Sequence, residues 1–240
     1  MPRRPRVSTG GYAYHVLNRA VARDRIFLKD GDYVAFERVL GEVYQTLPTR
    51  LLGYCLMPNH WHLVLWPRED GELSRFMRLL TVTHTQRWHA HYHSAGTGPL
   101  YQGRFKSFPI QRDEHLLTVL RYVERNPVRA GLAERAQDWA WSSLSTRHEA
   151  HRPEWLLAAS KWPVHRRENW ADWVNRPQTA KEADAILACI QRGRPYGGDA
   201  WVARTANALS LQSTLRPRGR PRVRGKAHTD SGRQPETQKQ

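Results

Sequence analysis

The stretch YCLMPNHWHLVLWP, Tyr54–Pro67, decides how the chain is read. LLGYCLM (51–57) and HWHLVLW (60–66) are two apolar runs joined by Pro58-Asn59, the signature of a β-hairpin. Side chains at i and i+2 of a strand share a face, so His60 and His62 point the same way, with Val64 and Trp66 beyond them. Trp61, Leu63 and Leu65 are left to face helices. Two adjacent imidazoles suit a divalent metal ion, each lending a neutral ring nitrogen. A His-x-His pair alone does not separate a metal site from an incidental pairing.

Outward from the hairpin, GYAYHVLNRA (11–20) alternates and is rich in aromatic and β-branched residues, which predicts a strand. A helix follows, capped by Asp32, with Tyr33, Val34, Phe36, Val39, Leu40, Val43 and Tyr44 at helical spacing up to Leu47-Pro48. Beyond the hairpin, Glu72 to about Tyr92 predicts a long helix with Phe76, Leu79, Leu80 and Val82 inward, broken by Gly96–Gly98. YQGRFKSFPIQ (101–111) predicts a fourth strand, and Asp113 opens a third helix, DEHLLTVLRYVERN, that Pro127 stops. The order βαββαβ plus a helix is an α+β, ferredoxin-like split βαβ fold, an antiparallel sheet with helices on one face. Residues 1–145 would form this domain. Residues 146–214, with helices near 180–191 and 199–210, would form a small helical extension. Residues 215–240, basic and rich in Pro and Gly, would be a disordered basic tail.

Lys and Arg number 38 against 22 Asp and Glu, a formal charge of +16. A surplus of that size predicts a polyanionic partner, nucleic acid foremost. A membrane surface would need a basic amphipathic helix, a lipid anchor or an apolar span of ~20 residues, and none is visible. Two cysteines, Cys55 and Cys189, far apart and outside any CxxC, speak against a disulfide framework or a cysteine zinc site. MPRRPRVSTGGY lacks the apolar core of a signal peptide, so a cytoplasmic location is expected. A second histidine cluster, WHAHYH (88–93), sits at an exposed helix end and reads as solvated surface.

The third helix carries Tyr122 and Asn126, four apart and on one face. At ~100° per residue, the apolar stripe of Leu116, Leu120 and Val123 lies roughly 120° from Tyr122. That places the phenol on the flank of the helix, within reach of a site or simply half-buried at an element boundary.

Together these segments resemble the HUH-type tyrosine transposases, and more narrowly the REP-associated tyrosine transposases. The resemblance rests on YHVLNRA (14–20), YCLMPNHWHLVLWP (54–67), YQGRFKSFPI (101–110), YVERNPVRAGL (122–132) and WAWSS (139–143). It implies His60, His62 and Asn126 as ligands of Mg²⁺ or Mn²⁺ and Tyr122 as nucleophile. It also implies a 5′-phosphotyrosine intermediate with a free 3′-OH. The substrate would be single-stranded DNA carrying a hairpin, a REP-like palindrome, met by a monomer or homodimer on the nucleoid of a bacterial cell. A phenol ordinarily ionises near pH ~10, so the nucleophile needs a cationic surrounding or a base.

Arg19, Arg104, Lys106 and Arg129 lie near these motifs and, as a group beside aromatic residues, fit a single-strand groove. In the tail, Arg218 and Arg220 sit in RGRP, which resembles an AT-hook; general phosphate binding explains them equally well. A second RGRP, Arg192–Pro195, is expected in a structured turn. Two functions are compatible with the sequence. One is an enzyme that nicks and rejoins single-stranded DNA through Tyr122. The other is a non-catalytic DNA-binding regulator that keeps the fold, which would have no need of all four of His60, His62, Tyr122 and Asn126.

Overall fold

In the computed structural model residues 7–147 and 152–216 are described. Four strands, β1 (Ala13–Arg19), β2 (Arg50–Met57), β3 (His60–Trp66) and β4 (Lys106–Ile110), form one antiparallel sheet in the order β2-β3-β1-β4. The hairpin turn is where the sequence places it. β1 and β2 are separated by β3, the split βαβ arrangement.

Helices α1 (Asp30–Thr46) and α2 (Glu72–His91) lie together on one face. Trp61, Leu63 and Leu65 of β3 pack there with Phe36, Leu40, Phe76 and Leu80. The expectation of helices on one face holds for this pair only. Helix α3 (Glu114–Glu124) crosses the other face, where Leu116, Leu120 and Val123 meet Val64, Phe108 and Ile110. Both faces of the sheet are therefore buried, and the strands are apolar on both sides except at one end.

Several local expectations are corrected. Asp32 is not the cap of α1 but lies in its first turn, its carboxylate accepting from the Leu28 and Lys29 amides. Val34 is exposed because the buried stripe of α1 runs Tyr33, Phe36, Val39, Leu40 and Val43, and Val82 because that of α2 runs Leu73, Phe76, Met77, Leu80 and His84. The fourth strand is shorter than 101–111: Tyr101 makes only a single bridge to Ala20, and residues 101–105 are a loop. The Tyr101 hydroxyl is drawn into the core by Trp61 Nε1 and His84 Nδ1, and Gly103 turns at φ +151°. Pro127 does not simply end the helix either, because a one-turn helix α4 (Asn126–Arg129) follows α3.

The remaining chain covers the sheet. WAWSS runs along the β2 edge, where Leu56 N donates to the Trp141 carbonyl and Ser143 N to that of Tyr54. Tyr196 pairs with the β4 edge through Pro109 and Gln111, so both edges are covered. Helices α5 (Trp170–Asn175), α6 (Ala180–Arg192), α7 (Asp199–Ala208) and α8 (Gln212–Leu215) complete the described residues. Thr179 and Glu182 cap α6 reciprocally, and Gly193 at φ +70° ends it, so the RGRP at Arg192–Pro195 does sit in a structured turn. Trp162, Trp170, Ile186 and Cys189 share a core with α3 and the sheet. Glu124, fully buried, accepts from Ser143 Oγ and Trp170 Nε1 and so ties these segments together. Except for Leu215, which ends α8, and Arg216, the expected disordered tail with Arg218 and Arg220 lies outside the described residues. No helix among the described residues is long and apolar enough to cross a membrane.

Candidate active site

The α3-facing side of the sheet changes from apolar to polar at the end where β3 begins. Register pairs Arg19 with His60, Leu17 with His62 and His15 with Val64, so His15, Arg19, His60 and His62 share this face. The His60 and His62 rings stand 5.0 Å apart at 75°. Tyr122, near the C-terminal end of α3, is carried over them, its ring 6.0 Å from His62 and 6.3 Å from His15, edge to face. It is only 3% exposed. Tyr122 is therefore not half-buried at the flank of the helix: it is buried in the same core as Leu116, Leu120 and Val123, at the end of α3 that covers the polar part of the sheet.

Each histidine has a second partner. His60 Nδ1 lies 2.6 Å from the side-chain oxygen of Asn59, and the Asn59 amide nitrogen donates to the Arg23 carbonyl. That places the His60 proton on Nδ1 and leaves a lone pair on Nε2. His62 Nδ1 lies 2.8 Å from His15 Nε2. His62 Nε2 is buried without a hydrogen-bond partner. Burial holds His15 and His60 down to about 3, reinforced by neighbouring His60 for the first and by Arg19 and Arg129 for the second. His62 is likewise well below its usual value, again by burial first and then by His60. All three rings are neutral at pH 7, the form that donates a lone pair.

Arg129 Nη2 donates to the Tyr122 hydroxyl at 3.1 Å, and its guanidinium carbon lies 4.4 Å from the ring centroid. The same nitrogen donates to Asn126 Oδ1 at 2.5 Å. Asn126 is 2% exposed, and its amide nitrogen donates to the carbonyls of Tyr122 and Val123. Those carbonyls lie at the end of α3, where Pro127 has no N–H to offer Val123. Asn126 thus stands in for the missing donor and holds the turn that carries Tyr122.

A cleft of about 690 Å³ opens above these residues, lined by Arg19, His60, His62, Arg104, Lys106, Tyr122 and Arg129. Seven of the eight candidate residues within the described chain meet there, and Asn126 lies behind Arg129. Arg19 Nε is buried without a partner, and burial is the first cause of its lowered pKa, ahead of Arg23. The second histidine cluster has no such arrangement. α2 ends at His91, His89 Nδ1 is bonded to Ser94 Oγ, and His93 has turned to φ +50°. Among the described residues no group of three or more His, Cys, Asp or Glu is placed to hold a metal. The fit to a divalent ion therefore rests on two Nε2 lone pairs. Asn126 Oδ1 is the one further candidate, and it would have to leave Arg129.

Residues 8–126, about half of the chain, match the family profile described as "Transposase IS200 like". The chain belongs to this family. The matched segment runs from the residues before β1 to Asn126 and so contains His15, His60, His62 and Tyr122. A Haemophilus influenzae protein assigned to the REP-associated tyrosine transposases is 25% identical over 149 residues, covering 56% of this chain and 83% of that protein. The solved structure of a REP-associated tyrosine transposase bound to a REP hairpin aligns with a TM-score of 0.52. It has 19% identity and covers 66% of this chain and 92% of its own, a likeness of fold. The narrower resemblance to REP-associated transposases agrees with both.

Several residues in and behind this transposase cleft have no role in a reading of the sequence alone. His15 belongs to the YHVLNRA motif and sits behind His62; its position in β1, on the face of His62, is the available signal. Asn59, a turn residue in the sequence, also meets His60 Nδ1 through its side-chain oxygen. Asn18, Arg23 and Gln102 line the cleft, as do Leu187, Ile190 and Gln191 of α6. The α6 contribution has no local signal, since it depends on how the extension packs across the sheet.

Proposed function

We propose that this chain is a metal-dependent transposase that nicks and rejoins single-stranded DNA beside a hairpin, through a covalent bond to Tyr122. The observation that supports it most is the meeting in one cleft of the Tyr122 hydroxyl and two buried nitrogens without partners, Arg19 Nε and His62 Nε2. A buried guanidinium N–H without an acceptor calls for an anionic oxygen, and a buried imidazole lone pair calls for a cation or a donor. A phosphodiester accompanied by a divalent ion supplies both.

His60 and His62 would hold the ion, with Asn126 as third ligand if it exchanges Arg129 for the metal. When bound, the ion supplies Lewis-acid polarisation of the scissile phosphate. The remaining work is done by this chain. Arg19 and Arg129 bind the phosphate oxygens, and Arg104 and Lys106 on the cleft rim hold the flanking backbone. Tyr122 Oη attacks phosphorus in line: the O–P bond forms, the P–O3′ bond breaks, the phenolic proton leaves and the 3′-oxygen takes up a proton. The product is a 5′-phosphotyrosine and a 3′-OH. The phosphodiester energy is retained, so attack by a 3′-OH reverses the step and joins strands. The hairpin partner is inferred from the DNA bound to the neighbouring transposase structure, together with the basic cleft here.

The test is a denaturing gel with labelled hairpin oligonucleotide in Mg²⁺ or Mn²⁺. The wild type forms a covalent adduct, and Tyr122→Phe forms none while its DNA affinity stays within about twofold, since only the nucleophilic oxygen is lost. Hairpin binding with no adduct from the wild type would instead favour the non-catalytic regulator.

A further inference from the structure

His15 is a buried titratable residue that lies behind His62, against the cleft rather than lining it, and the reaction above does not use it. It is 1% exposed, comes from β1 rather than from the hairpin, and lies against Phe108 with ring centroids 5.0 Å apart and the rings tilted by 35°. Its Nε2 meets His62 Nδ1 at 2.8 Å across 47 positions of sequence. The opposite ring nitrogen of His62 is the one left buried and unpartnered.

Each neutral imidazole carries one proton, and a hydrogen bond between two rings needs one donor and one acceptor. Only two assignments satisfy the contact. If His15 Nε2–H donates, His62 Nδ1 accepts and the His62 proton is forced onto Nε2, where no acceptor exists and no lone pair remains. If His62 Nδ1–H donates, His15 Nε2 accepts, the His15 proton sits on Nδ1, and His62 Nε2 presents a lone pair. His60 already has the second arrangement, because the Asn59 side-chain oxygen can only accept from its Nδ1–H.

We infer that His15 is a positioning residue: by accepting from His62 Nδ1–H it fixes the tautomer and rotation of His62 so that Nε2 faces the cleft as a ligand. This rests on the metal reading of the pair proposed above. An imidazole acceptor does here what a carboxylate or carbonyl does for many ligating histidines. It does so without a negative charge, which burial on this face would penalise heavily.

The test uses the full chain and two variants. His15→Phe keeps a ring against Phe108 but removes the acceptor, and His15→Gln offers a side-chain oxygen in its place. Long-range ¹H–¹⁵N NMR of the imidazoles reads the tautomer without metal and at saturating Mg²⁺, and Mn²⁺ titration without DNA reads affinity. The wild type should show His62 protonated at Nδ1 in both conditions. His15→Phe should remain folded by circular dichroism, lose the single tautomer and bind Mn²⁺ about 10- to 100-fold more weakly. His15→Gln should recover most of that loss. A His62 protonated at Nε2 in the wild type, or a His15→Phe with unchanged tautomer and Mn²⁺ affinity, overturns the assignment. Should His15→Phe not fold, the wild-type spectrum and His15→Gln decide it. A wild type that holds the Nδ1–H tautomer yet binds Mn²⁺ no better than His62→Ala sinks the metal reading instead, and the ligand role with it.

Discussion

Arg129 and Asn126 are joined by a 2.5 Å hydrogen bond that uses the very nitrogen holding the Tyr122 hydroxyl at 3.1 Å. One guanidinium therefore restrains both the proposed nucleophile and the proposed third metal ligand. Arg129 is an exposed residue, so an arriving phosphate can reach it. Arg129→Ala should slow adduct formation by about a hundredfold, the scale of one lost transition-state donor. Arg129→Lys should recover part of it, because the charge remains but the fork does not. Single-turnover cleavage with saturating enzyme measures this; an unchanged rate in Arg129→Ala would remove the residue from the chemistry.

His60→Ala and His62→Ala should each abolish cleavage while leaving hairpin binding largely intact. Excess EDTA should silence the wild type, and added Mn²⁺ should restore it. Cleavage that persists in EDTA would make the paired histidines structural.

The neutral histidines make the fold sensitive to acid. His15 and His60 are held down to about 3 and His84 to about 4, all chiefly by burial, whereas an unfolded histidine takes up its proton near pH ~6.5. Below that value the unfolded chain binds more protons, so stability falls as pH falls and is flat above it. A fully buried histidine such as His15 contributes about 1.4 kcal/mol per pH unit in that window. Melting temperature should hold steady above about pH 7 and drop between about pH 6 and 4, with a shallower drop in His15→Phe. A profile level down to pH 4 would contradict the neutral cluster.

Residues 217–240 carry seven Lys and Arg against two Asp and Glu. A chain ending at Arg216 should keep its cleavage position on a hairpin oligonucleotide and bind more weakly at low salt. Its log-affinity against log-salt slope should be shallower, since fewer phosphate contacts release fewer counterions. A shifted cleavage position, or an unchanged slope, would rule out an accessory phosphate-binding tail.

Much of this was legible in the sequence because its signals are local. Alternation and a Pro-Asn turn specify the hairpin, and strand periodicity puts His60 and His62 on one face. What was not legible depends on contacts distant in sequence. That Asn126 serves its own helix end, because Pro127 lacks an N–H, is visible only once the donors and acceptors around it are known. The fourth strand is shorter than its alternation predicts, because Tyr101 is claimed by Trp61 and His84 in the core. The wall supplied by Leu187, Ile190 and Gln191 has no counterpart in any local pattern.

The packing of Trp162, Trp170, Ile186 and Cys189 against α3 separates two boundaries that are easily equated. The family profile ends at Asn126, yet side chains from 36 to 63 positions later share the core that α3 makes with the far face of the sheet. A fragment cut at the edge of the recognisable segment would bare Leu116, Leu120 and Phe108 to water and leave the cleft without one wall. The stretch that carries the family profile is shorter than the stretch that folds together, and grafting this chemistry onto another protein would require carrying the longer.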